Sequence, residues 1–299
     1  MRRAVSPYMQ TAIRPHLTGL FEDLLIAAVL HPMMIKYLDQ DRSVGPNSVH
    51  AARGGKFTDV NENLAREVME LHTLGVDGPY TQTDVRELAE LLTGLAVSKP
   101  MRLNFRKNMS EPGSETVLGR TYGGDDANIN DVKSVLRDLA RHPVTAAHLA
   151  RKLAVHFTTG SPDPDLVATL EARFLETGGD LGAVTEALLN HPAAWTPKRQ
   201  NVKPAFHFVA SALRALAVDP AAINAVDEST ARRLFIRPMG QIGHLWQKPL
   251  GHPRQPCRHG RREPPCADPA ARRNGRAGRG APLLRPCLCL PARCPKTGR

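Results

Sequence analysis

The chain has 299 residues, of which 41% are hydrophobic and 23% charged, and its formal net charge is +11. This length and hydrophobic content suffice to bury a core, so we expect a folded protein. The sequence has no uninterrupted apolar run of about 18 residues, which argues against a membrane-spanning helix. The segment Met1–Pro7 has two arginines but no apolar stretch, so it is not typical of a signal peptide.

The positive charge and the cysteines are concentrated at the C-terminal end. Residues 251–299 contain 12 arginine and lysine side chains, two acidic side chains and all five cysteines. Residues 1–250 have a net charge of only +1 and no cysteine, so no disulfide argument applies to them. We therefore expect two regions, a helical domain over 1–250 and a disordered tail rich in Arg, Pro and Cys over 251–299.

Three interpretations of the tail remain open. We favour out-of-frame translation of GC-rich DNA, which yields arginine, proline, glycine, alanine and cysteine codons together. A basic arm that binds nucleic acid would gain from phosphate attraction, but the tail has no aromatic residue to stack on bases. A metal or disulfide module lacks the paired spacing of zinc sites. The tail cysteines are Cys257, Cys266, Cys287, Cys289 and Cys294.

The first predicted helices come from apolar residues at helical spacing. Residues 20–30 are apolar apart from two acidic positions, and a loop rich in Gly, Ser and Asn follows over 41–59. A second helix spans 61–73 and is closed by Gly75. A third begins at Thr81, where the spacing to Asp84 predicts reciprocal capping. Its apolar positions are Val85, Leu88, Leu91, Leu92 and Leu95.

The helical period breaks between residues 101 and 122. Two short β segments there, Leu103–Lys107 and Thr116–Leu118, predict a hairpin. Helices resume at 130–141, 143–158, 164–176, 180–190, 204–217 and about 227–236. The predicted fold is mainly α: a multi-helix domain with a small β-hairpin insert near 102–120 and a disordered C-terminal tail.

A His-Pro pair occurs three times, at His31, His142 and His191. Each pair follows a helix that contains leucine and opens another segment. Proline cannot continue the preceding helix and suits the first turn of the next. We therefore interpret the pairs as helix boundaries, and a series of functional histidines is the alternative.

The helix over 61–73 is the most polar in the chain. Glu62, Arg66 and Glu70 are spaced to form ion pairs that stabilise a helix, which suggests a solvated structural face. The alternative is that Asn63, Glu67 and Glu70 face a cleft, where two carboxylates beside an arginine acquire the separated pKa values that acid–base chemistry needs. On that hypothesis Glu67 and Glu70 are the catalytic candidates.

No established catalytic motif supports an enzyme. The sequence has no Gly-x-Ser-x-Gly elbow, no Walker loop, no dinucleotide-binding glycine pattern and no His-Glu-x-x-His. Residues 1–250 also lack a cysteine nucleophile. The sequence therefore identifies no cofactor and no metal.

The stretch NENLAREVMELHTLGVDGPYTQTDVRELAELLTG, residues 61–94, closely resembles the signature of a bacterial family known as domain of unknown function 1800. Supporting similarity occurs at residues 14–39, 45–47, 117–119, 149–157 and 211–216, and the resemblance runs from about residue 12 to about residue 248. It implies a mostly helical protein without an established activity. Residues 110–115 and His207 depart from the family pattern.

The resemblance also implies an incomplete chain. Family members usually carry a helical part ahead of residue 14 and a helical end that contains tryptophan and proline, where this chain has its arginine-rich tail. The resemblance therefore predicts N-terminal truncation and a frameshifted tail. Members are often exported and often accompany a second exported protein of unknown function, which is the partner that the resemblance suggests.

The resemblance extends to individual residues of the candidate site. Besides Glu67 and Glu70, the matching positions that we assign to ligand binding are Asn63, Arg66, His72, Tyr80 and Asp84. The function we expect is a non-enzymatic binding or assembly protein of the envelope or extracellular space. The alternatives are a hydrolase-type, metal-assisted enzyme that uses Glu67 and Glu70, and nucleic-acid binding through the tail.

Overall fold

The computed structural model describes residues 5–54, 59–124, 126–196 and 205–233. The chain divides into two compact units, residues 1–225 and 226–299, and residues 226–233 are the described part of the second. The predicted tail over 251–299 lies outside the described residues, so its interpretations and the proposed domain boundary at residue 250 stay predictions.

The described part of the chain is mainly helical, as predicted. Its α-helices are α1 (Val5–Tyr8), α2 (Phe21–Val29), α3 (Pro32–Tyr37), α4 (Val49–Ala52), α5 (Asn63–Arg66), α6 (Gln82–Leu91), α7 (Ile129–Arg141), α8 (Pro143–Phe157), α9 (Pro164–Glu176), α10 (Leu181–Asn190), α11 (Ala205–Ala215), α12 (Pro220–Asn224) and α13 (Glu228–Ala231). Helices α7 to α11 lie within two residues of their predicted bounds. α13 lies inside the segment predicted at 227–236, of which residues 234–236 are outside the described part.

Short π-helical and 3₁₀ turns also occur in the described residues. Met9–Ile13 and Glu67–His72 form π-helical turns, and 3₁₀ turns occur at Arg14–His16, Gln40–Arg42, Lys107–Met109 and Pro192–Trp195. The loop predicted over 41–59 is therefore interrupted by α4. Helix α12 was not predicted.

In the described residues, the paired strands form two antiparallel hairpins. Strand β1 (Leu95–Ser98) pairs with β2 (Arg102–Phe105), and β3 (Gly113–Val117) pairs with β4 (Arg120–Gly124). The insert is thus present near 102–120, but the two segments predicted to pair with each other belong to different hairpins. Leu95, assigned to a helical stripe, begins β1 instead, because α6 ends at Leu91 and its period stops there.

The second hairpin turns through two residues with positive φ. Leu118 has φ 50° and Gly119 has φ 76°, a combination that suits the right-handed twist of a two-residue hairpin. Glycine adopts this conformation at no steric cost, whereas leucine does so only under strain. Contacts from outside the hairpin therefore have to hold Leu118 in place.

The core forms between α2, α5, α6, α7, α8 and α9. Its largest fully buried side chains include Leu64, Leu88, Leu136, Leu166 and Leu170. These residues recur at helical spacing, so each helix presents one apolar face to its neighbours. The opposite face of α6 is left polar, and it carries the site described below.

The three His-Pro pairs are helix N-termini, which confirms the structural interpretation. The Nδ1 atom of each histidine accepts a hydrogen bond from the backbone N–H two residues later: His31 from Met33 at 3.1 Å, and His142 and His191 from their counterparts at 3.2 Å. Proline occupies the first helical position in each case. The imidazole therefore supplies the acceptor that Ser, Asp or Asn usually provides at this position.

Protonation of His31 should weaken this cap. Burial lowers the pKa of His31 below its ordinary value of 6.5, so the unfolded chain binds the proton more readily than the folded one. The cap's contribution is present above pH 6.5 and is lost as the pH falls toward the folded-state value. We expect His31→Asn, which keeps an acceptor without titrating, to reduce the loss of stability between about pH 8 and about pH 5.

Urea unfolding of both proteins at the two pH values checks this expectation. Burial also lowers the pKa values of His72 and His148, so part of the acid sensitivity should remain in the variant. An unchanged pH dependence in His31→Asn would show that protonation of the cap contributes nothing.

Candidate functional site

Arg66 is the centre of a polar network on α5. Its guanidinium lies 2.8 Å from Glu62 Oε2 and 3.2 Å from Glu70 Oε1, and it donates to Gln82 Oε1 on α6 at 2.6 Å. Gln82 Nε2 in turn donates to both carboxylate oxygens of Glu62. The two predicted ion pairs are therefore present, and Gln82 extends them to the next helix.

The two catalytic candidates have different surroundings. Glu70 is paired with Arg66, whereas among the described residues no group donates a hydrogen bond to the Glu67 carboxylate or forms an ion pair with it. Both side chains are half-buried. They lie on the π-helical turn, where Thr73 N–H donates to the carbonyl of Val68, five residues back, at 2.9 Å. Such wide turns are frequent at functional sites.

His72 is a packed, neutral histidine. Its Nδ1 atom is buried and has no hydrogen-bond partner among the described residues. Burial, and then the nearby charge of Lys152, lower its pKa from 6.5. Lys152 Nζ donates to the carbonyl of Leu71 at 2.9 Å, which fixes the cation close to the ring.

Tyr80 and Asp84 have identifiable structural contacts. The Tyr80 hydroxyl donates to the carbonyl of Val76 at 3.1 Å. Asp84 accepts from the N–H and hydroxyl of Thr81, both at 2.7 Å, which completes the predicted reciprocal cap, and from Leu118 N–H at 2.7 Å. Burial alone would raise the pKa of Asp84, but these hydrogen bonds outweigh it and lower the pKa.

Asn63 lies apart from these contacts. Its side chain is exposed, and its backbone N–H donates to the side chain of Asn61 at 3.0 Å. The candidate residues thus share one region of α5 and α6, but contacts within the chain occupy most of their polar groups. Their assignment to ligand binding or catalysis stays a prediction.

An open pocket of about 540 Å³ lies beside the polar face of α6. Its lining residues are Pro46, Asn47, Gln82, Thr83, Arg86, Glu87 and Glu90. The loop before α4 forms one wall because Gly45 packs directly on Glu111: a Cβ atom at Gly45 would lie 2.5 Å from the Glu111 Cα atom. Glu111 then accepts hydrogen bonds from the backbone and side-chain N–H groups of Asn47.

A cluster of three glutamates adjoins this pocket. Glu87 and Glu90, one turn apart on α6, and Glu115 on β3 each offer a carboxylate oxygen, and these oxygens lie within 4.8 Å of one another. Glu87 also accepts from Thr116 N–H at 2.9 Å, and Glu90 from Arg86 Nε at 3.0 Å. Hard oxygen ligands in this number are the kind that Ca²⁺, Mg²⁺ and Mn²⁺ prefer.

Glu115 is the most perturbed member of the glutamate cluster. Burial, a hydrogen bond shared with Glu87 and the negative charges of Glu90, Glu87 and Glu111 raise its pKa to about 8. Like charges this close oppose a second ionisation. At neutral pH the cluster therefore holds a proton or requires a cation.

Neither the pocket nor the glutamate cluster is predicted from the sequence. Glu87 and Glu90 were available as a pair at i, i+3 spacing on the polar face of a predicted helix. Glu115 lies inside the segment 110–115, whose one signal in the sequence is its departure from the family pattern. No local pattern shows that β3 packs on α6, and this packing is what assembles the cluster.

Fold and site together define a mainly helical protein with two β-hairpins and an acidic pocket on one helix. The chain belongs to the family described as protein of unknown function DUF1800, whose model matches residues 1–257. The match begins earlier and ends later than the resemblance seen in the sequence. No curated protein and no solved structure matches the chain. Within the described residues, every helix is too short or too polar to cross a membrane.

We expect the hydrogen bonds and ion pairs of Arg66 to contribute measurably to the stability of the folded protein. Arg66→Met removes two ion pairs and the hydrogen bond to Gln82, so we expect the free energy of unfolding to fall by about 1 kcal/mol, after allowance for the partial exposure of the side chain. The matched control is Arg137→Met on α7, since Arg137 is exposed and forms no ion pair among the described residues. Denaturant unfolding measures the free energy of unfolding of both variants. Equal losses of free energy in Arg66→Met and Arg137→Met would show that the Arg66 network does not stabilise the fold.

Proposed function

We propose that this protein is a non-enzymatic binding or assembly protein of the cell envelope or extracellular space, and that its ligand contacts the pocket on α6. The pocket carries the proposal because it combines donors and acceptors in one concave surface. Arg86 and the amides of Asn47 and Gln82 can donate, while Glu87 and Glu90 accept. A few such polar groups at fixed positions provide orientation and specificity in a binding site.

The side chains of the pocket are held in place before a ligand arrives. Gln82 is fixed by Arg66 and Glu62, and Asn47 by Glu111. Because fewer rotamers are lost on association, such preorganisation strengthens binding without any additional contact. Arg66 and Glu62 thereby support the pocket without lining it.

The charge of the pocket indicates the chemistry of its ligand. Glu87 and Glu90 outnumber Arg86, and Arg86 is already paired with Glu90. A basic side chain of a partner protein would complement this surface. The family resemblance suggests the partner, a second exported protein of unknown function, and it also supports the proposed location.

A hydrolase is the second candidate function. Its support is the contrast between Glu70, which is paired with Arg66, and Glu67, which has no such partner in the described part of the chain. Two carboxylates in unlike environments are the usual arrangement of an acid and a base. Nucleic-acid binding depends on the tail outside the described residues, and the net charge of +1 over residues 1–250 gives it no support.

The first test measures binding of the second exported protein by titration calorimetry. Thr83 is an exposed pocket residue on α6, and a tryptophan there fills the pocket. We expect Thr83→Trp to weaken binding by about tenfold or more, as loss of a central contact does. The matched control is Ala172→Trp, because Ala172 is exposed on α9 away from the pocket lining.

Equal binding by wild type and Thr83→Trp would overturn the proposed use of the pocket. Glu67→Gln and Glu70→Gln address the rival function in the same preparation. Loss of p-nitrophenyl ester or phosphate hydrolysis with unchanged stability would favour the enzyme, whereas loss of stability alone would argue against it.

A further inference from the structure

The first hairpin, in which β1 pairs with β2, carries a concentration of positive charge. Residues 91–110 contain four basic side chains and no acidic one. We refer to residues 95–107 as the basic hairpin. Its basic residues, all of them exposed, are Lys99, Arg102, Arg106 and Lys107.

The core fixes the orientation of the basic hairpin. On the inner face of β2, Leu103 and Phe105 pack against the core. The pairing with β1 continues to Arg106, whose N–H donates to the Gly94 carbonyl at 2.8 Å. Because side chains alternate between the two faces of a strand, Arg102 and Arg106 lie on the outer face, about 13 Å apart along the chain. The fold therefore presents these cations to solvent on an anchored scaffold.

Acidic residues in neighbouring segments leave most of this charge uncompensated. Asp41, on the 3₁₀ turn that packs on β1, forms an ion pair with Lys36. Asp126 forms an ion pair with Lys107 at 2.7 Å, which neutralises one of the four cations. The hairpin cations without an ion-pair partner among the described residues are Lys99, Arg102 and Arg106.

The tip of the basic hairpin is apolar. Pro100 and Met101 lie between Lys99 and Arg102, and Met101 is 49% exposed. An exposed apolar side chain flanked by cations suits the boundary between the headgroups and the acyl chains of a bilayer. There the apolar group can leave water while the long basic side chains keep their charges among the lipid phosphates.

Two other classes of partner fit the basic hairpin less well. The bases of single-stranded nucleic acid stack on exposed aromatic side chains, whereas Phe105, the one aromatic residue of the hairpin, packs against the core. A stable protein interface buries about 800 Å² on each side, which is more than a turn of this size presents. The combination of charge and an apolar tip therefore favours a lipid surface.

We propose that the basic hairpin binds the surface of a bilayer that contains anionic lipids. Lys99 and Arg102 contact lipid phosphates, and Met101 enters the headgroup region between them. Each basic side chain near such a surface strengthens binding about fivefold, and salt screens the attraction. The proposal goes beyond the proposed function and does not depend on it, since the described residues that line the pocket include none from the hairpin.

The test is co-sedimentation of the full chain with vesicles. Vesicles of equal parts phosphatidylglycerol and phosphatidylcholine are compared with vesicles of phosphatidylcholine alone. We expect the double variant Lys99→Gln, Arg102→Gln to lower the partition coefficient onto the anionic vesicles by about tenfold or more. The matched control, Arg137→Gln with Arg151→Gln, removes the same charge from exposed positions of α7 and α8 and should bind as the wild type does.

The contribution of the apolar tip is measured separately. Met101→Ser keeps every charge, and we expect it to weaken binding to the anionic vesicles by about threefold or more, because less apolar surface leaves water. The basic residues of 251–299 are the same in every protein compared, so the differences between variants report on the hairpin. Circular dichroism verifies that each variant is folded.

Three results would overturn the proposal. The first is wild-type binding to the anionic vesicles no stronger than to phosphatidylcholine alone. The second is equal binding by the wild type and the Lys99→Gln, Arg102→Gln variant, or an equal loss in the matched control. The third is binding unaffected by Met101→Ser, which would indicate attraction to any acidic surface, such as that of a protein. If the double variant fails to fold, Arg106→Gln decides by the same criterion with an expected loss of about fivefold.

Discussion

The contact between the N-terminal half of α6 and the second hairpin determines the rest of the site. Asp84 caps the helix and accepts the N–H of Leu118, and one turn later Glu87 accepts the N–H of Thr116. Successive helical turns thereby hold one backbone N–H group of β3 and one of its turn, which fixes the hairpin in one register. Leu118 keeps its positive φ because this contact and the two-residue turn both require it. The same register places Glu115 against Glu87 and Glu90.

The sequence predicts local features of this arrangement well. The cap at Thr81 and Asp84, the apolar stripe of α6 and the helices from α7 to α11 follow from spacing and turn chemistry within a few residues. The features that the sequence does not predict depend on contacts between residues far apart in the chain. The two predicted β segments were placed correctly near 102–120, yet each pairs with a neighbour whose pattern resembled helix or turn. The wide turn at Glu67–His72 has a composition that an ordinary α-helix would also accept.

In the candidate site, too, local sequence spacing predicts some contacts, and others depend on the packing of distant segments. The polar density of 61–73 drew attention to Glu67 and Glu70, and the Arg66 ion pairs expected there are present. Sequence spacing could not show that Gln82 would connect them to α6. Nor could it reveal the glutamate cluster, because a single glutamate on a strand carries no signal until the strand is packed. The segment 110–115, which departs from the family pattern, contains Glu111 and Glu115.

The buried polar groups of the described residues are satisfied to different degrees. The hydroxyls of Thr73, Thr93 and Thr145 each donate to a backbone carbonyl between 2.6 and 2.7 Å away, so their burial costs little. A buried carboxyl surrounded by carboxylates opposes folding, and apolar replacement would relieve it. Satisfaction is not general, however, because Nδ1 of His72 and Nε2 of His148 are buried without a hydrogen-bond partner among the described residues. Glu115 differs from these histidines, because it shares a hydrogen bond with Glu87 and its raised pKa lets it keep a proton at neutral pH. The retained proton therefore makes the acidic wall compatible with folding.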